Sequence, residues 1–143
     1  MNYLVKTPAV FRWLFPSCTW KISNNKNIVF LSFDDGPTPK ITERTLSILK
    51  KENIKATFFC IGDNIKKYPE IYNNILSEGH SVGNHTYDHS NGWKINNEQY
   101  FKSIAECNRL VNSKLFRPPY GKIKLSQIKH LKKYFQLILI KFI

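Results

Sequence analysis

Short runs of branched and aromatic residues alternate along this chain with segments whose apolar positions recur every three or four residues. That alternation restricts the fold to helices packed on a mostly parallel sheet. Residues 28–33, Ile-Val-Phe-Leu-Ser-Phe, read as a buried strand, and Ile41, Ile48 and Leu49 behind them fall at helical spacing. Thr38 and Pro39 supply an N-cap and a first-turn proline for that helix, since proline lacks an N–H that would go unpaired there. "ATFFCIG" (56–62) is a second strand. A helix over 64–78 then lines up Ile65, Tyr68, Ile71, Tyr72, Ile75 and Leu76, and Gly79 closes it. "HSVGN" is a short third strand leading into "HTYDH". A helix over 95–112 aligns Tyr100, Ile104, Cys107 and Val111, and "LFRPPYG" gives a strand end and a rigid turn. The last helix, 125–134, precedes the apolar "QLILIKFI".

The fold class is therefore α/β, with a parallel sheet curved or closed as a barrel. Five strand-like segments and four helices are present in 143 residues, whereas a complete eight-unit barrel needs about 250. The expectation is a barrel incomplete at its C-terminus, with the last strand left as an exposed apolar edge. One domain accommodates this length, and 42% hydrophobic content is ample for a core. Residues 1–26 read as an aromatic lead-in packed on a domain spanning 27–143.

Net charge is +12, but the excess lies in scattered lysines, with arginine only at 12, 44, 109 and 117. A nucleic-acid reader gathers arginines on one element or interleaves them with stacking aromatics, so no nucleic-acid partner is expected. Cys18, Cys60 and Cys107 are odd in number and show no C-x-x-C spacing, which points to buried or free thiols. Lys6, Pro8, Arg12 and Pro16 interrupt the apolar N-terminus before any run long enough for a signal sequence or a membrane span.

Two features carry chemistry by residue type and spacing. His85 and His89 stand four apart in "HTYDH"; on a helical turn this puts both imidazoles on one face, with Cβ atoms about 6 Å apart, close enough to share a metal ion. Asp34 and Asp35 sit at the end of the first strand, ahead of Gly36 and Pro37. Alone they would read as an Asx turn into the helix. Two imidazoles with one carboxylate instead make a three-ligand site with a position left for water, the arrangement of catalytic zinc. One aspartate can then ligate while its neighbour takes a proton from water. In "FRPPYG", Arg117 is a planar donor able to orient a carboxylate, and Pro118-Pro119 stiffens the backbone that presents the Tyr120 N–H to an oxyanion. The alternative for this stretch is a surface arginine before a proline turn.

"LSFDDGP", "HTYDH" and "RPPYG", in that order and at strand ends, resemble the first three motifs of the polysaccharide deacetylase family, the NodB-homology domain of carbohydrate esterase family 4. "ATFFCIG" and "EGHSVGNH" resemble it as well, so the likeness runs from about Asn27 onward. The resemblance implies a distorted (β/α) barrel and metal-dependent hydrolysis of N-acetyl groups on amino-sugar polymers, such as N-acetylglucosamine-containing peptidoglycan or chitin. It makes Asp34 the general base, and Asp35, His85 and His89 the ligands of a divalent metal, usually zinc. Arg117 would orient Asp34, and the Tyr120 N–H would help hold the oxyanion. An envelope substrate follows from the same resemblance.

The chain also departs from the family. Members carry an aspartate-and-tryptophan segment after the next strand and then a Leu-x-His whose histidine is the general acid, and neither motif is present in these 143 residues. His80, ahead of the third strand, and His130, in "IKHLKKY", are poor substitutes. The expectation is a truncated member with impaired turnover. The alternative is a non-catalytic module that binds metal and saccharide.

Overall fold

The computed structural model describes residues 13, 16, 18–20 and 28–139. Strands and helices alternate: β1 (Cys18–Thr19), β2 (Ser32–Gly36), α1 (Ile41–Lys51), β3 (Thr57–Cys60), α2 (Gly62–Lys67), α3 (Pro69–Ser77), β4 (Ser81–Asn84), α4 (Asn97–Val111), β5 (Leu115–Phe116), a 3₁₀ turn (Pro119–Gly121), α5 (Leu125–Leu131) and β6 (Gln136–Ile138). The strands form one sheet in the order β1-β6-β5-β4-β3-β2, with every neighbouring pair parallel. The sheet is not closed among the described residues.

Two expectations about the sheet are corrected. Cys18 and Thr19, inside the presumed lead-in, add a strand beside β6, so the last strand lies between β1 and β5 and is not an edge. β2 begins only at Ser32, and the Leu31 carbonyl accepts from the Thr57 N–H (3.0 Å). The register pairs Ser32 with Thr57, the first residue of β3, so the residues before Leu31 overhang their partner strand. Ile28, Val29, Phe30 and Leu31 are correspondingly exposed.

Helix boundaries shift for equally local reasons. α1 starts at Ile41, because Lys40 has φ 65°, outside the helical region. Thr38 is not its N-cap; its N–H instead donates to Thr42 Oγ1 (2.8 Å). The expected helix over 64–78 is two helices. Pro69 lacks an N–H and disfavours helical geometry at Tyr68, which has φ −131° and ψ 58°. α3 then ends as expected at Gly79 (φ 77°): the Gly79 N–H reaches Leu76 O and the His80 N–H reaches Ile75 O, satisfying two terminal carbonyls.

Two apolar clusters sit between the sheet and its helices. One joins Leu46 and Leu49 of α1, Phe58 and Cys60 of β3, Ile65, Tyr72 and Ile75 to Cys107 and Val111 of α4. The other joins Tyr100 and Ile104 of α4 to Phe116, Ile128, Leu131, Leu137 and Cys18. α4 belongs to both, so it ties the two halves of the sheet together. All three cysteines are buried and free. Among the described residues no helix is long and apolar enough to cross a membrane.

Candidate metal and catalytic site

The C-terminal ends of β2, β4 and β5 converge, as expected for a ligand-binding face of a parallel α/β fold. Between Phe33 and Gly36 the register of β2 slips against β3, three steps opposing two. The extra residue is a bulge, and Asp35 within it has φ 67°. The two acids are separated by this bulge rather than by the simple alternation of a regular strand. The Asn64 side-chain amide donates to Asp35 O (2.9 Å) and holds the unusual turn in place.

His85 and His89 leave β4 in an irregular loop, not on the helical turn that their spacing suggests. Thr86 (φ 64°) and His89 (φ 56°) adopt left-handed backbone. The loop is fixed by polar side chains that compete with helical bonding. Asn84 Oδ1 accepts from the Thr86 N–H (2.9 Å), while its amide donates to Ile104 O. Ser103 and Ser90 both donate to Asp88 Oδ1. Burial alone would raise the Asp88 carboxyl pKa, but these hydroxyl bonds prevail and hold it below the usual range.

Asp35 Oδ1 lies 3.3 Å from His85 Nε2 and 3.0 Å from His89 Nε2. One ligand atom from each of the three residues falls within 4.8 Å of the others. His85 Nδ1 is 2.7 Å from Arg117 O; a carbonyl only accepts, so Nδ1 carries a proton and Nε2 is the ring atom turned toward Asp35. Three electron-rich atoms thus point at one spot, which is the donor set and outer hydrogen bond that a divalent cation requires. Desolvation lowers the His89 pKa, with Asp35 opposing, which favours the neutral ring. The close approach of the His85 ring, with His89 adding to it, holds the Asp35 carboxyl below its usual range against the opposing effect of burial.

Asp34 faces a different partner. Arg117 is buried, and its Nη1 donates to Asp34 Oδ1 (2.7 Å) and Ser32 Oγ (2.9 Å), with the guanidinium carbon 4.0 Å from the centre of the Phe59 ring. Ser32 and Phe59 lie within "LSFDDGP" and "ATFFCIG" but have no role in the motif-based reading. The available signal for Ser32 was a polar residue two positions before Asp34, on the same face of an apolar strand. Tyr120, with φ 59°, packs its exposed ring 4.6 Å from that of His89. The structure thus brings together Asp34, Asp35, His85, His89, Arg117 and Tyr120. The other two histidines are elsewhere: His80 Nδ1 accepts from the buried Ala56 N–H, and His130 stacks on Phe101.

The family model for polysaccharide deacetylases matches residues 21–135. The chain belongs to the polysaccharide deacetylase family. It is 44% identical over 111 residues to a peptidoglycan-N-acetylglucosamine deacetylase of Bacillus cereus, covering 73% of this chain and 40% of that protein. A chitooligosaccharide deacetylase of Azorhizobium caulinodans is 34% identical, over 71% of this chain and 51% of its own. The solved Bc1960 peptidoglycan N-acetylglucosamine deacetylase superposes with a TM-score of 0.85 at 38% identity, covering 92% of this chain and 64% of that one. This deacetylase-family chain therefore has the α/β architecture of its solved relatives, and it spans less than two thirds of each of these relatives.

Proposed function

We propose that this chain hydrolyses N-acetyl groups on N-acetylglucosamine-containing polymers, peptidoglycan first among them, with a zinc ion held by Asp35, His85 and His89. The observation that carries the reading is the convergence of Asp35 Oδ1, His85 Nε2 and His89 Nε2 beside an aspartate clamped by a buried arginine. The names of the relatives support the substrate class, and work at the cell envelope is part of the same proposal. A bound divalent cation supplies a Lewis acid that polarises the acetamide carbonyl and acidifies water.

The chain's own residues do the rest. Arg117 fixes Asp34 through Oδ1, so the other carboxylate oxygen is presented to the attacking water and takes its proton. The Tyr120 backbone N–H is the donor on the oxyanion side. The water oxygen joins the carbonyl carbon, the C–N bond breaks, and acetate and a free amine result. The departing nitrogen needs a proton, and neither His80 nor His130 is in the site. Turnover by these residues alone is therefore slowed by about 10²- to 10⁴-fold. Acetate release from N-acetylglucosamine oligomers, with and without zinc, tests this. Slow, zinc-dependent release that disappears in Asp34→Asn while zinc affinity is retained is expected. Release unaffected by Asp34→Asn contradicts the role of the base, and oligomer binding without acetate assigns the chain to saccharide binding instead.

A further inference from the structure

Trp93 is 60% exposed, yet both of its N–H groups are hydrogen-bonded within the chain. Its backbone N–H donates to Asn91 Oδ1 (3.0 Å) and its indole Nε1–H to Ile123 O (3.1 Å). The preceding residue is pinned from below: fully buried Gln127 donates from Nε2 to Gly92 O (2.9 Å) and accepts the Lys124 N–H at Oε1 (2.8 Å). A Cβ at Gly92 would lie 2.7 Å from both Gln127 Oε1 and Lys122 O, so only glycine allows this approach. Lys122 Nζ lies 5.5 Å from the centre of the indole ring. An indole whose polar atom is already satisfied has only its apolar faces to offer a ligand.

Its position relates this residue to the site. Trp93 follows His89 by four residues, and Ile123, which receives its indole proton, follows Tyr120 by three. Tyr120 in turn packs on His89 and is 62% exposed. Two exposed aromatics thus stand on loops clamped to each other, Tyr120 against the candidate ligand His89 and Trp93 four residues further along the loop that carries it. Fixing an exposed aromatic in advance removes the ordering cost that a mobile one would incur on binding.

We propose that Trp93 is a stacking platform for a sugar ring of the polymer adjoining the one that bears the reacting acetamide. The apolar C–H face of a pyranose lies against the indole, and specificity for a chain over a single sugar follows. This inference rests on the deacetylase reading above and deepens it.

Calorimetry on the zinc-loaded chain, with N-acetylglucosamine monomer and tetramer, tests the platform. Trp93→Ala is expected to weaken tetramer binding about tenfold, leaving monomer and zinc affinity unchanged, and Trp93→Phe to recover most of the loss. The indole N–H resonance that vanishes in Trp93→Phe is expected to move when tetramer is added to the wild type. Unchanged tetramer affinity in Trp93→Ala overturns the platform and leaves the deacetylase reading standing. Equal losses for tetramer and zinc, or lost stability with unchanged affinity, also overturn it, by making Trp93 a structural residue. A wild type that binds no tetramer removes the substrate class itself, and the platform with it.

Discussion

Arg117→Ala removes the group that joins three strands at the site. In the zinc-free protein, Arg117 bonds an ionised acceptor and a hydroxyl and covers Phe59. A bond to a charged group is worth about 1.5–3 kcal/mol when buried, but the Asp34 side chain is 40% exposed, and water recovers part of that, leaving about 1 kcal/mol. The Ser32 bond adds about 1 kcal/mol, and the guanidinium over the ring about 1 kcal/mol more. The expected cost is about 3 kcal/mol in urea unfolding. Lysine keeps the charge without the planar fork, so Arg117→Lys should recover about half. Zinc affinity should be largely retained, because the His85 proton is held by the backbone carbonyl of residue 117, which survives substitution. Arg117→Ala within about 0.5 kcal/mol of wild type, the range of ordinary surface substitutions, would show that the guanidinium is idle and refute the clamp.

Two further outcomes follow from the packing. His80 accepts the Ala56 N–H at Nδ1, and its pKa is lowered by burial and by Lys55 against the pull of Glu78. On acidification the unfolded chain takes up this proton first, so stability should fall as pH drops below the ordinary histidine value of about 6.5, with a slope of at most ~1.4 kcal/mol per pH unit. His80→Asn should flatten that slope in urea titrations across pH, and an unchanged slope would rule out His80 as its source. Gly83→Ala would place a Cβ 2.5 Å from two ring atoms of Phe59, the residue under Arg117. A loss of about 1–3 kcal/mol is expected, and a neutral result by thermal unfolding would show that the ring moves freely.

The βα alternation and the three motif clusters were legible because branched strands, helical spacing and paired acids are local signals. What escaped the sequence was set by neighbours. The overhang of 28–30 depends on where β3 begins, which nothing in "IVFLSF" encodes. The loop carrying His85 and His89 follows from Asn84 bonding Thr86 and Asp88 meeting Ser103, fifteen residues away. Four-residue spacing alone therefore suggested a helix where a left-handed loop brings the rings together. Two local signals were misjudged: Thr38 is not the cap of the first helix, and a proline after Tyr68 already argues for a break between two helices.

The central claim is that Asp35, His85 and His89 together hold one divalent cation. Calorimetric titration of the purified chain with zinc, beside Asp35→Ala, His85→Ala and His89→Ala, tests it most directly. One ion per chain, with affinity lost in each variant while Arg117→Ala still binds, is the predicted result. A wild-type chain that takes up no zinc, or variants that bind it as well as the wild type does, would contradict the account.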